Sequence, residues 1–298
     1  MAGLIGTGMG DAGMSEGQAT AIAAPPAVET RLDEPPSMSL FGIGQQVLIR
    51  SGSVIAVLIG WELLARSGMF TTFLLPPLSL VLSRVWEDAA SGALWVNLGL
   101  TLYRAAVGFV IAAASGVVLG ILIARIRVVH WLFDPVVSVG FPMPKIAFLP
   151  VFMLWFGLYD FSKISMIAFD CVFPVIASTV AATQAVETYL VWSARSLGAK
   201  ERTILWEIML PAALPQILTG LQIALPIALI VAIVCEMLMG GEGLGGAMIQ
   251  SSRFADSPGV FAGIVEIAIA GWGVIKGQEW VRRKLLVWHQ ETQNVATV

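Results

Sequence analysis

The chain has 298 residues, of which 57% are hydrophobic and only 12% charged, and its mean hydropathy is +0.83. A soluble domain carries about one-quarter charged residues, so the composition excludes an ordinary soluble enzyme and points to an all-α integral membrane protein. The net charge of −3 decides nothing by itself, because charge in a membrane protein matters by position.

Residues 1–40 are rich in Gly, Ala, Ser and Pro. They lack a basic start and a continuous apolar core, so they read as a disordered tail rather than a signal peptide. A spanning helix needs about 20 largely apolar residues. Six runs qualify, at about 47–66, 97–124, 131–157, 163–184, 214–238 and 258–276, within a membrane domain over 41–290 that ends in a short tail, 291–298. Between the first two, residues 67–96 contain Pro76-Pro77 and then a stretch that reads as a short interfacial helix. Pro142 and Pro144 interrupt the third run. A broken helix is tolerated where it is packed in protein or lines a cavity.

With six spans, one side carries Arg50, Arg125, Arg127, Arg195, Lys200, Arg202, Arg282, Arg283 and Lys284, and the other Arg66, Arg84, Lys163 and Arg253. Basic residues favour the inside, which puts both termini and the loop 187–213 in the cytoplasm. That loop is the one long polar run in the second half. Gly198 and Pro211 supply stop signals, predicting two short amphipathic helices, about 188–197 and 200–209, hinged at Gly198 and lying at the membrane surface.

Four ionisable residues, Arg104, Lys145, Asp170 and Glu266, fall well inside spans. Such residues usually face a cavity or a partner. Counted from the outer ends of their spans, Arg104, Asp170 and Glu266 should share one layer about 10–12 Å deep. Two readings stand side by side: a polar layer that lines a pathway, or Arg104 pairing with Asp170 or Glu266 to hold the bundle. Cys171 and Cys235 lie in apolar runs and read as small buried hydrophobes. His130 and His289 show no metal-ligand spacing. Eight tryptophans, Trp61, Trp95, Trp131, Trp155, Trp192, Trp206, Trp280 and Trp288, concentrate near predicted span ends and read as interface anchors.

Gly241-Glu242-Gly243-Leu244-Gly245-Gly246 formally matches a dinucleotide fingerprint. It follows a membrane span rather than a strand, so it reads as a flexible turn or a close-packed re-entrant segment near the outer gate. No G-x4-G-K-[ST] pattern occurs, so any ATP hydrolysis belongs to a partner.

Ser193-Ala194, Gly198, Ile208 and Leu210-Pro211 follow the pattern E-A-A-x3-G-x9-I-x-L-P, with Trp192 in place of Glu and Ser193 in place of the first Ala. This resembles the signature loop of permease subunits of ATP-binding-cassette importers. Pro144-x-x-Ala147-x-x-Pro150, Trp155-Phe156-Gly157, Ser162-Lys163-Ile164, Phe173-Pro174, Leu218-Thr219-Gly220, Glu236-Met237-Leu238, Gly243-Leu244-Gly245 and Val260-Phe261-Ala262-Gly263-Ile264 look like the nitrate/sulfonate/taurine branch, over roughly residues 45–290.

The resemblance implies a type I importer permease fold with a cytoplasmic coupling loop, in a bacterial inner membrane. It implies a second permease copy, two ATPase subunits that hold ATP and magnesium, and a periplasmic or lipid-anchored solute-binding protein. Membrane lipid is the remaining partner expected, nucleic acid is not, and the chain itself binds no cofactor. Trp192, Ser193, Ala194, Leu197, Gly198, Ala199, Leu210 and Pro211 would form the ATPase-coupling surface. Arg104, Lys145, Asp170 and Glu266 are the pathway candidates. The branch carries nitrate, sulfonates, taurine, aromatic acids and thiamine-precursor pyrimidines. The rival reading is an ion-coupled secondary transporter that uses the intramembrane carboxylates.

Overall fold

The structure, a computed structural model, describes residues 40–286, with side chains from Gly52 onward. The predicted tails 1–40 and 291–298, apart from Leu40, lie outside the described residues, as do Trp288 and His289. The chain divides into two compact units, Met1–Ser53 and Val54–Val298. Of the first, the described residues belong to the leading turns of one helix, α1; the packing and site described below lie in the second.

The described residues are helical, with turns between. Helix α1 is Leu40–Arg66, α2 Leu78–Ser91, α3 Ala93–Arg125 and α4 Arg127–Gly140. A 3-10 turn, Lys145–Phe148, leads into α5, Leu149–Phe156, and then α6, Asp160–Gln184. Helix α7 is Thr188–Ser196, α8 is the single turn Glu201–Thr203, and a π-helical turn, Ile204–Met209, runs into α9, Leu210–Met239. Helices α10, Leu244–Arg253, and α11, Ser257–Leu285, complete the fold.

Among the described residues, four helical stretches are long and apolar enough to cross a membrane: Ala93–Arg125, Asp160–Gln184, the stretch that contains α9, and Ser257–Leu285. Helix α1 covers the first predicted span. The third predicted span is broken where Pro142 and Pro144 fall, as expected. Helices α4 and α5, with their 3-10 lead, meet at 98°. Pro142 and Pro144 lie in the break; neither can donate a backbone hydrogen bond, and each disfavours helix at the residue before it.

The centre of the bundle is the α3–α6 contact, and its sequence logic is a repeat of four. Buried Gly108, Ala112, Gly116 and Gly120 form one stripe of α3; buried Ile167, Cys171, Val175 and Thr179 form one of α6. Cβ atoms added at Gly108, Gly116 and Gly120 would run into Ile167, Val175 and Thr179 respectively. Small residues four apart let two helices approach closely in a bilayer, where the hydrophobic effect gives no drive to pack. The numbers rise together, so α3 and α6 run parallel and in register. The segment 127–156 must therefore return the chain to the starting end of the bundle.

Helix α9 runs antiparallel to both. Its Gly220 packs on Ser178, and the Cys171 thiol donates to the Ala224 carbonyl at 3.4 Å. Helix α11 lies against α9, where Gln278 Nε2 donates to the Leu221 carbonyl at 3.1 Å. Helix α2 starts after Pro77, as the proline pair suggested, and packs on α11 and α3. Both cysteines are buried, as expected of small hydrophobes.

Candidate functional site

The polar loop folds as two parts hinged at Gly198, though not as two equal helices. Helix α7 ends in a Schellman motif. The Ala199 N–H donates to the Ala194 carbonyl at 3.1 Å and the Gly198 N–H to the Arg195 carbonyl at 2.9 Å. Gly198 sits at φ +81°, in the left-handed region. A Cβ added there meets nothing within 4 Å, so within this chain glycine serves backbone conformation and not close packing.

The motif's apolar contact is made by Ala194, buried with Ile204 and Met209, and Ala199 packs against the same cluster. Those two alanines, expected at a docking surface, are the inner face of the loop. The outer face carries Trp192, Ser193 and Leu197, with Leu197 89% exposed.

The second predicted helix, 200–209, does not stop at Pro211. It runs from α8 through the π-helical turn into α9, with Leu210 half-buried and Pro211 exposed in the first turn of that helix. The Leu210 N–H bonds the Leu205 carbonyl, five residues back, so the ladder is already widened where the proline N–H is missing. The loop is also tied to the end of α3. Glu201 accepts from Arg125 at 2.9 Å and from Arg195 at 2.8–2.9 Å.

The intramembrane charges are not one layer, and Arg104 pairs with neither Asp170 nor Glu266. Its Nη1 donates to Glu236 Oε1 at 2.6 Å and to the Glu242 carbonyl at 2.6 Å, while Nε and Nη2 reach Asp160 Oδ1 at 2.8 and 2.7 Å. Glu236 is fully buried. Thr101 Oγ1 donates to its carboxylate at 2.9 Å and accepts the Leu244 N–H at 2.9 Å; the Gly245 N–H adds a bond to Oε2 at 3.1 Å.

The glycine-rich turn is thus the close-packed alternative. A Cβ at Gly243 would strike the Glu236 carboxylate, at Gly245 the Ile233 carbonyl, and at Gly246 the Gly241 carbonyl. Lys163, expected at the outer end of its span, is buried and donates to the Gly240 carbonyl at 3.0 Å, closing the same turn from α6.

Lys145 and Asp170 form a second pair, 3.2 Å apart, at the α4–α5 break. Lys145 also donates to the Phe141 carbonyl at 3.3 Å and lies over the Phe173 ring, 5.1 Å from its centre. Glu266 stands apart from both. It lines a cavity with Ala93, Leu94 and Asn97, the first turns of α3, about 10–17 Å along that helix from Arg104.

Reading the sequence for ionisable residues deep in spans found Arg104 and missed its main partner. Glu236 lies near the end of an apolar run and appeared only inside a motif. The mid-run position of Arg104 was the available hint that an acid must face it.

A family model for the binding-protein-dependent transport system inner membrane component matches residues 116–285. The chain belongs to this family. It is 31% identical over 256 residues to the taurine transport system permease protein TauC of Escherichia coli, covering 84% of this chain and 93% of that one. It is 34% identical over 242 residues to a putative aliphatic sulfonates transport permease protein of Bacillus subtilis, covering 81% and 86%. The formylaminopyrimidine transport permease protein of Halalkalibacterium halodurans is 30% identical over 241 residues, covering 80% and 94%. Among solved structures, inward-facing MetNI methionine ABC transporter matches with TM-score 0.53 at 19% identity, covering 65% of this chain and 95% of that one. An amino acid ABC transporter matches with TM-score 0.53 at 19% identity, covering 66% and 96%. The chain is therefore a multi-pass transport subunit, not an enzyme, with the permease fold expected from its loop motif.

Proposed function

We propose that this permease forms the translocation pathway of an ATP-driven importer for a small organic sulfonate or a solute of similar size. It spans the membrane six times, with α1 and the broken α4–α5 pair as the spans beyond the four long stretches. Its domain is 41–290, and both termini and the loop 187–213 face the cytoplasm. It works as a homodimer with two ATPase subunits, which hold ATP and magnesium, and a binding protein on the outer side delivers the solute.

The observation that carries this reading is the build of the loop. A coupling element must transmit force, so it must be stiff inside and complementary outside. The Schellman cap and the Ala194–Ile204–Met209 cluster stiffen it, and Glu201 ties it to Arg125 of α3. The face it leaves outward is Trp192, Ser193 and Leu197, with Trp206 beyond. We assign ATPase contact to those residues and to Gly198, whose outer surface is open to a partner backbone. Ala194, Ala199 and Leu210 support them from behind, and Pro211 starts the helix that carries the motion into the membrane.

Lys145 and Asp170, at the break between α4 and α5, are the pathway pair. Arg104 and Glu236 brace the outer turn. Asp170 and Glu236 each have a basic partner, and the match to a binding-protein-dependent transport component favours the ATP-driven reading over an ion-coupled one. The test is uptake into proteoliposomes by the permease with its ATPase and binding protein. ATP-dependent uptake of taurine or an alkanesulfonate, lost in Leu197→Asp, supports the reading. Uptake by the permease alone, without ATP, would overturn it.

A further inference from the structure

Glu266 is the one ionisable pathway candidate to which the bundle gives no partner. It is 7% exposed, and its buried Oε1 has no hydrogen-bond partner among the described residues. It lines a cavity of about 260 Å³ between α2, α3, α10 and α11, together with Arg84, Asp88, Asn97 and Asp256. Arg84 is already engaged. Its Nε faces Asp88 at 3.3 Å and its Nη2 faces Asp256 at 3.5 Å. Asp256 also caps α11, accepting the Gly259 N–H at 3.1 Å. Three carboxylates therefore surround one guanidinium, and the deepest of them is unpaired. A buried carboxylate without a partner is costly, and a cation is the complement the cavity lacks.

A second cavity, of about 400 Å³, adjoins the first. Leu94 and Glu266 line both. From there it follows α3 and α11 past Leu98, Leu102, Ile269 and Gly273, and its walls are apolar apart from Glu266. Trp95 and Trp272 stand along it, both exposed. The two cavities together make an acidic head pocket at the end of a greasy groove, beside aromatic rings of the kind that sit at bilayer interfaces.

We propose that this composite site holds a bilayer phospholipid with a primary amine headgroup. One acyl chain lies in the α3–α11 groove. The ammonium, with three donors, enters the pocket and bonds Glu266 together with Asp88 or Asp256. Arg84, whose side chain is 39% exposed, turns its remaining N–H groups to the phosphate. A soluble amine would use the pocket but gain nothing from the groove. An anionic lipid would fill the groove but meet the carboxylates. The inference requires only that α3 and α11 face lipid, and it stands apart from the transport reading.

The test is native mass spectrometry of the full-length protein in mild detergent, titrated with phosphatidylethanolamine or phosphatidylglycerol of identical acyl chains. Wild type should retain the amine lipid about tenfold better, the factor expected for one charge-assisted hydrogen bond. Glu266→Gln should bring the two lipids level. Gly273→Leu fills the groove from a position where an added Cβ meets nothing within 4 Å; it should lower retention of phosphatidylethanolamine with Glu266 intact. Free phosphoethanolamine should not displace the lipid. Equal retention of both lipids by wild type, or an unchanged preference in Glu266→Gln, overturns the proposal. So does full retention in Gly273→Leu, while displacement by phosphoethanolamine would reassign the pocket to soluble amines.

Discussion

Replacing Arg104 with methionine is the sharpest test of the brace at the α9–α10 turn. Methionine keeps much of the side-chain length and removes the charge. Glu236, with no exposed surface, then keeps only the Thr101 hydroxyl and the Gly245 N–H as donors. Three acceptors lose the guanidinium: Glu236 Oε1, the Glu242 carbonyl and Asp160. Removing one partner of a buried pair costs about 3–5 kcal/mol, because the other charge stays buried and uncompensated. For a chain of this size 1 kcal/mol moves the midpoint by about 2–4 °C, so melting should fall by about 10 °C. The double variant Arg104→Met with Glu236→Gln removes both charges and leaves an acceptor for Thr101 and Gly245. It should recover half or more of the loss, a coupling of about 2 kcal/mol. The assay is tryptophan-fluorescence melting in detergent, using the ten native tryptophans. A single variant that melts within about 2 °C of wild type, or a double variant as unstable as the sum of the singles, would refute the argument.

Gly198→Ala puts a Cβ on a residue at φ +81° with open space around it. Backbone strain alone should therefore destabilise the loop, by about 1–2 kcal/mol, read as faster amide exchange at 194–199 with the spans unchanged. Gly116→Ile drives a branched side chain into Val175 at the centre of the α3–α6 contact. Overpacking of this kind costs about 1–3 kcal/mol or more, and melting temperature and detergent-stable yield should both drop, whereas Gly99→Ala, with nothing near its added Cβ, should be neutral. Glu201→Gln breaks ion pairs to Arg125 and Arg195 that lie largely in water. Exposed pairs contribute little to stability, so melting should hold while stimulation of the ATPase by the permease falls; a large loss of melting temperature with normal stimulation would reverse the role given to Glu201.

The sequence by itself determined the class and the long apolar helices. Apolar runs of spanning length can do little else in a bilayer, where backbone groups must be satisfied within the segment. Glycine at position 198 carried the loop's bend for a local reason, since the left-handed conformation is set by one residue. The spacing of Gly108, Ala112, Gly116 and Gly120 was also present in the string. Its meaning needed the partner stripe on α6, because small residues at intervals of four mark a contact without naming what they touch. Pro211 misled because a π-helical turn can absorb a proline's missing N–H, and here one carries the helix past it into α9.

Pairing among buried charges was decided only by the tertiary structure. Depth counted from span ends put Arg104, Asp170 and Glu266 in one layer. The observed register separates them: Gly108 faces Ile167 and Gly116 faces Val175, which sets Asp170 about seven residues, or about 10 Å, deeper than Arg104. Arg104 meets Glu236 because α3 and α9 run antiparallel and the turn folds back over both. Lys145 meets Asp170 because the chain bends by 98° beside α6. Glu266 is left facing a cavity. Ion pairs form across helices, at distances fixed by crossing and register, and one helix's sequence holds no record of its neighbour's register.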